Sequence, residues 1–513
     1  MSLAQFDMQT FNFVDYSVIV IYLLAIVALG ACFARRQNSR KEYFHGGGAL
    51  PWWAVSISLL ASSLSPISYL SVPGWVFLKD SRNNLVPDLL NLAFIPLAAV
   101  IWLPLWSRLR VFSIYEYLEI RFQPWIRTVG AILFLFLTTI WVGTALSTAG
   151  MGFQTVTGFD AQWCILVIAV LGTSYTVLGG VRAVIWTDVV QFVVFMVGYA
   201  AILLTLLHLF DWQPFEMWRI ASTTISQETG HPHTKLISFE LDPNVEATIW
   251  VVLFYRIFDK ISWGASQWEV QRLHATRSRR EMLKTMIGSQ VAMILFTCVA
   301  VPTAWGFVAY YAQQPELKVD IQHDEVLPHF VVNHLPSVFR SLIMAGVLAA
   351  LMSTMDTAIN SMGSVTVNDF VLRFLWKDAS EESLVRTAKL LTFVFGVLVA
   401  GFALWQLEAQ TETALEKIRK FNNVIIATIP SFFLLGVISK RTNTGGAVLG
   451  AIAGMIFAFV FNGVPGMVDA PLPWINWMWI AGLAMVVNVT VGYAASYLFA
   501  PPSSEVLDEI YKD

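Results

Sequence analysis

The chain has 513 residues, 56% of them hydrophobic and only 13% charged, with a mean hydropathy of +0.63. A soluble domain runs at roughly 45–50% apolar and about 25% charged, so one aqueous core cannot hide this much apolar surface. The net charge of -3 is too small to point to a nucleic-acid partner, and Cys32, Cys164 and Cys298 sit in apolar runs without metal-type spacing.

A helix that crosses a bilayer needs roughly 20 mostly apolar residues. Thirteen stretches meet that condition in chain order: 13–34, 51–77, 85–106, 126–150, 162–180, 182–209, 247–267, 285–311, 339–372, 387–407, 418–439, 444–463 and 474–499. The N-terminus, MSLAQFDMQTFNFVDY, has no basic leader region, so the first run is expected to remain in the protein. Lys and Arg gather in alternate loops, with Arg35, Arg36, Arg40 and Lys41, then Arg108, Arg110 and Arg121, then Arg272, Arg277, Arg279 and Arg280 on one side. The positive-inside rule therefore predicts an outward N-terminus and a cytoplasmic C-terminus in the plasma membrane. The cluster Lys417–Lys420 runs against this bias. The longest hydrophilic stretch, 210–246, reads as an extracellular loop, and there is no GxxxxGK[ST] motif to suggest ATP as the energy source. Most of the eight histidines lie in loops, which argues against a membrane-embedded enzyme.

Polar residues inside a span are costly and need a reason. In 51–77 the sequence Ala61-Ser62-Ser63-Leu64-Ser65-Pro66 interrupts the apolar run. Pro66 removes a backbone donor, and the serines offer competing hydrogen bonds. The segment is either an ordinary proline kink or a broken helix whose freed carbonyls suit sodium. In 339–372, Ser353, Asp356, Thr357 and Asn360 fall on one helical face among small residues, a stripe fit for a hard cation or for interhelical hydrogen bonds. Gly179-Gly180 marks a tight turn, and Asp188 follows inside the next helix, as a cation relay or as the partner of a neighbouring arginine. In 247–267, Asp259 is expected to pair with Arg256, and Gly264 to mark a second helix break. Two interrupted spans, each opening a run of five helices, are the signature of an inverted repeat.

These residues resemble the sodium/solute symporter family. The carriers are Glu42-Tyr43-Phe44 with Gly46-Gly47-Gly48, the stretch Ser113 to Phe122, the stretch Gly179 to Gln191, Gln271-Arg272, and Met352 to Asn360. The resemblance runs nearly end to end. It implies an all-α integral membrane protein with a five-plus-five inverted-repeat (LeuT-like) core and an extra N-terminal helix. The expected division is 1–50, first repeat 51–209, loop 210–246, second repeat 247–440 and C-terminal helices 441–513. It further implies sodium as coupling ion, bound by the carbonyls of Ala61, Leu64 and Ala350 and the hydroxyls of Ser353 and Thr354. Some members bind a second sodium, here at Asp188, Ser353, Asp356 and Thr357. Asp356 stands where those members carry serine, so it either strengthens that site or serves structure. Sialic-acid relatives place an arginine inside the third core helix, whereas 126–150 has only Arg127, at its start. By position alone, Ser65, Ser68, Ser266 and Gln267 are the candidate solute contacts. The implied activity is secondary active import of a sugar, sialic acid or carboxylate, with proton coupling as the alternative, and no obligatory protein partner is evident.

Overall fold

The computed structural model describes residues 12–33, 37–64, 66–315, 326–408, 427–463 and 475–511. The chain is built from helices: α1 Phe13–Cys32, α2 Arg40–His45, α3 Trp52–Ser63, α4 Pro66–Leu78, α5 Leu85–Arg108, α6 Tyr115–Arg121 and α7 Pro124–Thr157. After these come α8 Ala161–Leu209, α9 Pro214–Thr223, α10 Ile249–Trp263, α11 Gln267–His274, α12 Arg279–Gln313, α13 Val326–His334 and α14 Ser337–Thr366. The series closes with α15 Glu381–Glu408, α16 Thr428–Ile438, α17 Thr444–Asn462, α18 Trp477–Ala495 and α19 Ser504–Tyr511.

Among the described residues, nine helices are long and apolar enough to cross a bilayer, and two shorter apolar ones, Trp52–Ser63 and Thr428–Ile438, join them. The 49 residues of α8 would reach about 74 Å if straight, more than twice a hydrocarbon core of roughly 30 Å. They break instead at Gly180, whose φ of 56° and ψ of -159° only glycine adopts readily. The two predicted spans 162–180 and 182–209 are the two helical arms on either side of this break. The predicted span 418–439 is seen only in its second half, because 409–426, with the Lys417–Lys420 cluster, lies outside the described residues.

Both expected interruptions are present. Helix α3 ends at Ser63, with Leu64 at φ -85° and ψ 89°, and α4 restarts at Pro66, a position where the missing N–H of proline costs nothing. Helix α10 ends at Trp263, Ser266 is extended, and α11 begins at Gln267. At this second break the freed carbonyls find indole donors. Trp102 Nε1 donates to the Ile261 carbonyl at 3.0 Å and Trp106 Nε1 to the Gly264 carbonyl at 2.8 Å. A Cβ on Gly264 would lie 2.1 Å from the Trp102 ring, so the close approach requires glycine.

Helix α14 is the centre of the molecule. Of its most apolar stretch 94% is buried, against 22% for α1. Ala345, Gly346, Ala349 and Ala350 are all buried in it, and α8, α7, α15 and α1 pack around it. Both its ends are tied. At the start, Arg340 Nη2 lies 2.5 Å from Asp15 Oδ2, and the Ser341 hydroxyl donates to Asp15 Oδ1 at 2.6 Å. Just beyond its end, Asp369 accepts from Ser113 at 2.5 Å and from Arg127 Nε at 2.6 Å.

Candidate ion and solute sites

The break after α3 leaves the last carbonyls of that helix without helical partners, and it does so beside α14. Ala61, Leu64, Ala349, Ala350 and Ser353 enclose a void of about 10 Å³, closed from the α8 side by Gln191, Phe192 and Phe195. That is the scale of a single water or small ion. The Ser353 hydroxyl is buried there, facing the Asp188 carboxylate without a well-formed hydrogen bond, and the Gln191 amide lies beside the Tyr22 and Tyr175 hydroxyls in the same state. Thr354 does not line the void; its hydroxyl donates to the Ala350 carbonyl at 3.0 Å. Four of the five residues expected to hold sodium thus share one void, and the fifth adjoins it. The donors are all oxygen, in a site whose hydroxyl lacks a well-formed hydrogen bond, which fits a hard monovalent cation.

The second expected ion position contains a protein cation. Arg272 of α11, 2% exposed, puts Nη2 3.2 Å from Asp188 Oδ2 and Nε 2.8 Å from the Ser58 hydroxyl. The same Nη2 donates to the Thr357 hydroxyl. Ser58 in turn donates to Asp188 at 2.5 Å, and the Ser62 and Thr357 hydroxyls are 2.9 Å apart. Asp356 is turned toward α8, where the Tyr175 hydroxyl donates to its Oδ2 at 2.5 Å. Ser353, Asp188, Asp356 and Thr357 are therefore neighbours, but Asp188 and Thr357 already hold a guanidinium. Sequence reasoning placed Arg272 among the loop charges. Its neighbour Gln271, which donates to Asn360 at 2.8 Å, shows the same inward orientation of α11.

A larger cavity of about 340 Å³ opens at the second break, between α7, α10, α11 and the start of α16. Ser266 and Gln267 line it, together with Asp259, Glu269 and the indoles of Trp141, Trp263 and Trp268. The Gln267 amide is largely spent on structure: it donates to the Phe112 carbonyl at 2.9 Å and accepts from the Ile114 N–H at 2.8 Å. The Ser266 hydroxyl has no partner. Ser65 lies outside the described residues, as does the side chain of Ser68. One expectation is corrected here. Asp259 pairs with Lys260, at 3.5 Å, and not with Arg256, which lies over the Tyr255 ring. A separation of three residues permits the Arg256 pair, but both charges turn to other neighbours. Arg127, the arginine of α7, is bound to Asp369 and Glu119, away from this cavity.

The family model described as the sodium:solute symporter family matches residues 43–454. The chain belongs to the sodium:solute symporter family. The symporter is 28% identical over 507 residues to a sodium/sialic acid symporter of Proteus mirabilis, covering 98% of this chain and 99% of that one. It is also 28% identical to a sodium-dependent multivitamin transporter of Oryctolagus cuniculus, over 88% of this chain and 70% of that one. Its fold matches a substrate-bound, outward-open sodium-coupled sialic acid symporter with a TM-score of 0.85 at 27% identity, covering 96% of this chain and 99% of that chain. A nucleobase-cation-symport-1 family transporter shares the fold alone, at a TM-score of 0.53 and 13% identity over 92% of this chain and 98% of that one. The symporter is thus a multi-pass, LeuT-like secondary transporter that couples a solute to sodium.

Proposed function

We propose that the symporter imports a small organic solute by alternating access, with one co-transported sodium between α3 and α14 and the solute in the cavity at the second helix break. The observation that carries this reading is the void shared by Ala61, Leu64, Ala350 and Ser353, with the Ser353 hydroxyl buried and lacking a well-formed hydrogen bond. An ion there bridges the broken helix to the fixed central one and favours the arrangement in which the solute cavity is formed. The second ion position is served by Arg272: its guanidinium supplies at Asp188 the positive charge that a second sodium brings elsewhere. In this reading the N-terminus faces outward and the C-terminus lies in the cytoplasm of a cell bounded by the plasma membrane. Each inward charge gains about 2.3 kcal/mol per 100 mV of membrane potential.

The test is uptake into proteoliposomes with an imposed inward sodium gradient. The expected result is sodium-dependent accumulation with a Hill coefficient near one for sodium. Accumulation that ignores sodium and follows a proton gradient overturns the ion assignment, and a sodium Hill coefficient near two overturns the role given to Arg272.

A further inference from the structure

We infer that the solute recognised in the 340 Å³ cavity carries a positively charged nitrogen. The inference rests on the proposed function, since it takes this cavity to be the solute site. Its volume lies at the lower end of small-molecule pockets, roughly 300–1,000 Å³.

The charge of the wall decides the class. Among the described residues, those that line the cavity include two acidic side chains, Asp259 and Glu269, and no lysine, arginine or histidine. Lys260 stands 3.5 Å from Asp259 and offsets that carboxylate, but it does not reach the lining. Glu269 keeps one carboxylate oxygen, Oε2, buried without a hydrogen-bond donor. An acceptor left in that state in a low-dielectric site calls for a donor or a cation from the ligand. The adjacent Ser266 hydroxyl is also unpartnered and offers a neutral contact for a hydroxyl of the solute.

The aromatic wall points the same way. Trp141 and Trp268 stack with centroids 5.5 Å apart, and Trp263 lines the same space. Indole faces attract ammonium groups and repel carboxylates, because the ring quadrupole is negative over the face. A carboxylate solute entering this space meets Asp259, which Lys260 offsets from behind, and the buried, undonated oxygen of Glu269. The arginine that would compensate it from α7, Arg127, is held by Asp369 and Glu119. The relatives named for sialic acid transport an anion; this lining is built for the opposite sign.

The experiment measures sodium-dependent currents and uptake in proteoliposomes for four probes: choline, ethanolamine, lactate and N-acetylneuraminate. Choline or ethanolamine is expected to evoke inward current and to accumulate, and lactate and N-acetylneuraminate to give neither. Glu269→Gln is expected to raise the half-saturating choline concentration by about tenfold or more, through loss of a buried charge partner. Sodium-induced tryptophan fluorescence of the same variant should stay unchanged, which shows a folded, ion-binding protein. Sodium-driven uptake of lactate or N-acetylneuraminate without any response to the cationic probes overturns the charge assignment and leaves symport standing. Sodium-independent behaviour toward every probe overturns the symport reading and this inference together. An unchanged choline response in Glu269→Gln removes Glu269 from the site and sinks the inference as argued.

Discussion

Arg272 of α11 and Asp188 of α8 meet at 3.2 Å between Nη2 and Oδ2, with the two side chains 2% and 0% exposed. The pair joins the half-helix after the second break to the helix beyond the Gly180 turn, and Ser58 brings the half-helix before the first break into the same contact. Removing one partner leaves a buried charge uncompensated, which costs about 3–5 kcal/mol. Arg272→Gln is therefore expected to lower the thermal unfolding temperature and abolish transport. The double variant Arg272→Gln with Asp188→Asn should regain part of the stability, read by differential scanning fluorimetry in detergent. No recovery would show that the two charges are not partners.

Ser353→Ala separates ion binding from stability. The hydroxyl faces Asp188 without a well-formed hydrogen bond, so its removal forfeits at most one weak internal contact. Without sodium the variant should unfold within about 1.5 kcal/mol of the parent. The sodium concentration for half-maximal uptake should rise several-fold, and the sodium-dependent gain in unfolding temperature should shrink with it. Unchanged sodium dependence counts against the assigned ion site.

Gly264→Ala tests the second break. Its Cβ meets the Trp102 ring at 2.1 Å, so the indole must move and its bond to the Ile261 carbonyl is lost. A destabilisation of about 1–3 kcal/mol is expected from overpacking. Solute affinity should weaken more than sodium affinity, because the cavity adjoins this break and the ion void does not. Equal weakening of both, measured by equilibrium binding, would contradict that separation.

The spans were legible because lipid imposes one rule, long apolar runs with internally bonded backbones, and the sequence meets it at the predicted stretches other than the two interrupted ones, 51–77 and 247–267. The first break was legible because Pro66 and the serines act locally. The partner of Asp188 was not. Arg272 lies 84 residues away, and in the sequence it reads as one more loop cation. The indoles of Trp102 and Trp106 were invisible for the same reason: aromatic residues in α5 look lipid-facing until the carbonyls of α10 are set beside them. The Asp259–Arg256 expectation failed because helical spacing lists which contacts a side chain can make, while its surroundings choose among them.

Helix α14 is fastened at one end through Asp15 and Arg340 and at the other through Asp369 to Ser113 and Arg127. A rod held at both ends cannot slide along its own length or unwind by a turn without unfastening a buried ion pair. In the proposed cycle the half of the ion site that α14 contributes, Ala350 and Ser353, is therefore expected to stay in place. On that proposal, access to the ion changes by the α3 half pulling away, a hinge opening against a doorpost, and the release rate should answer to changes in α3 and α11 before it answers to changes in α14.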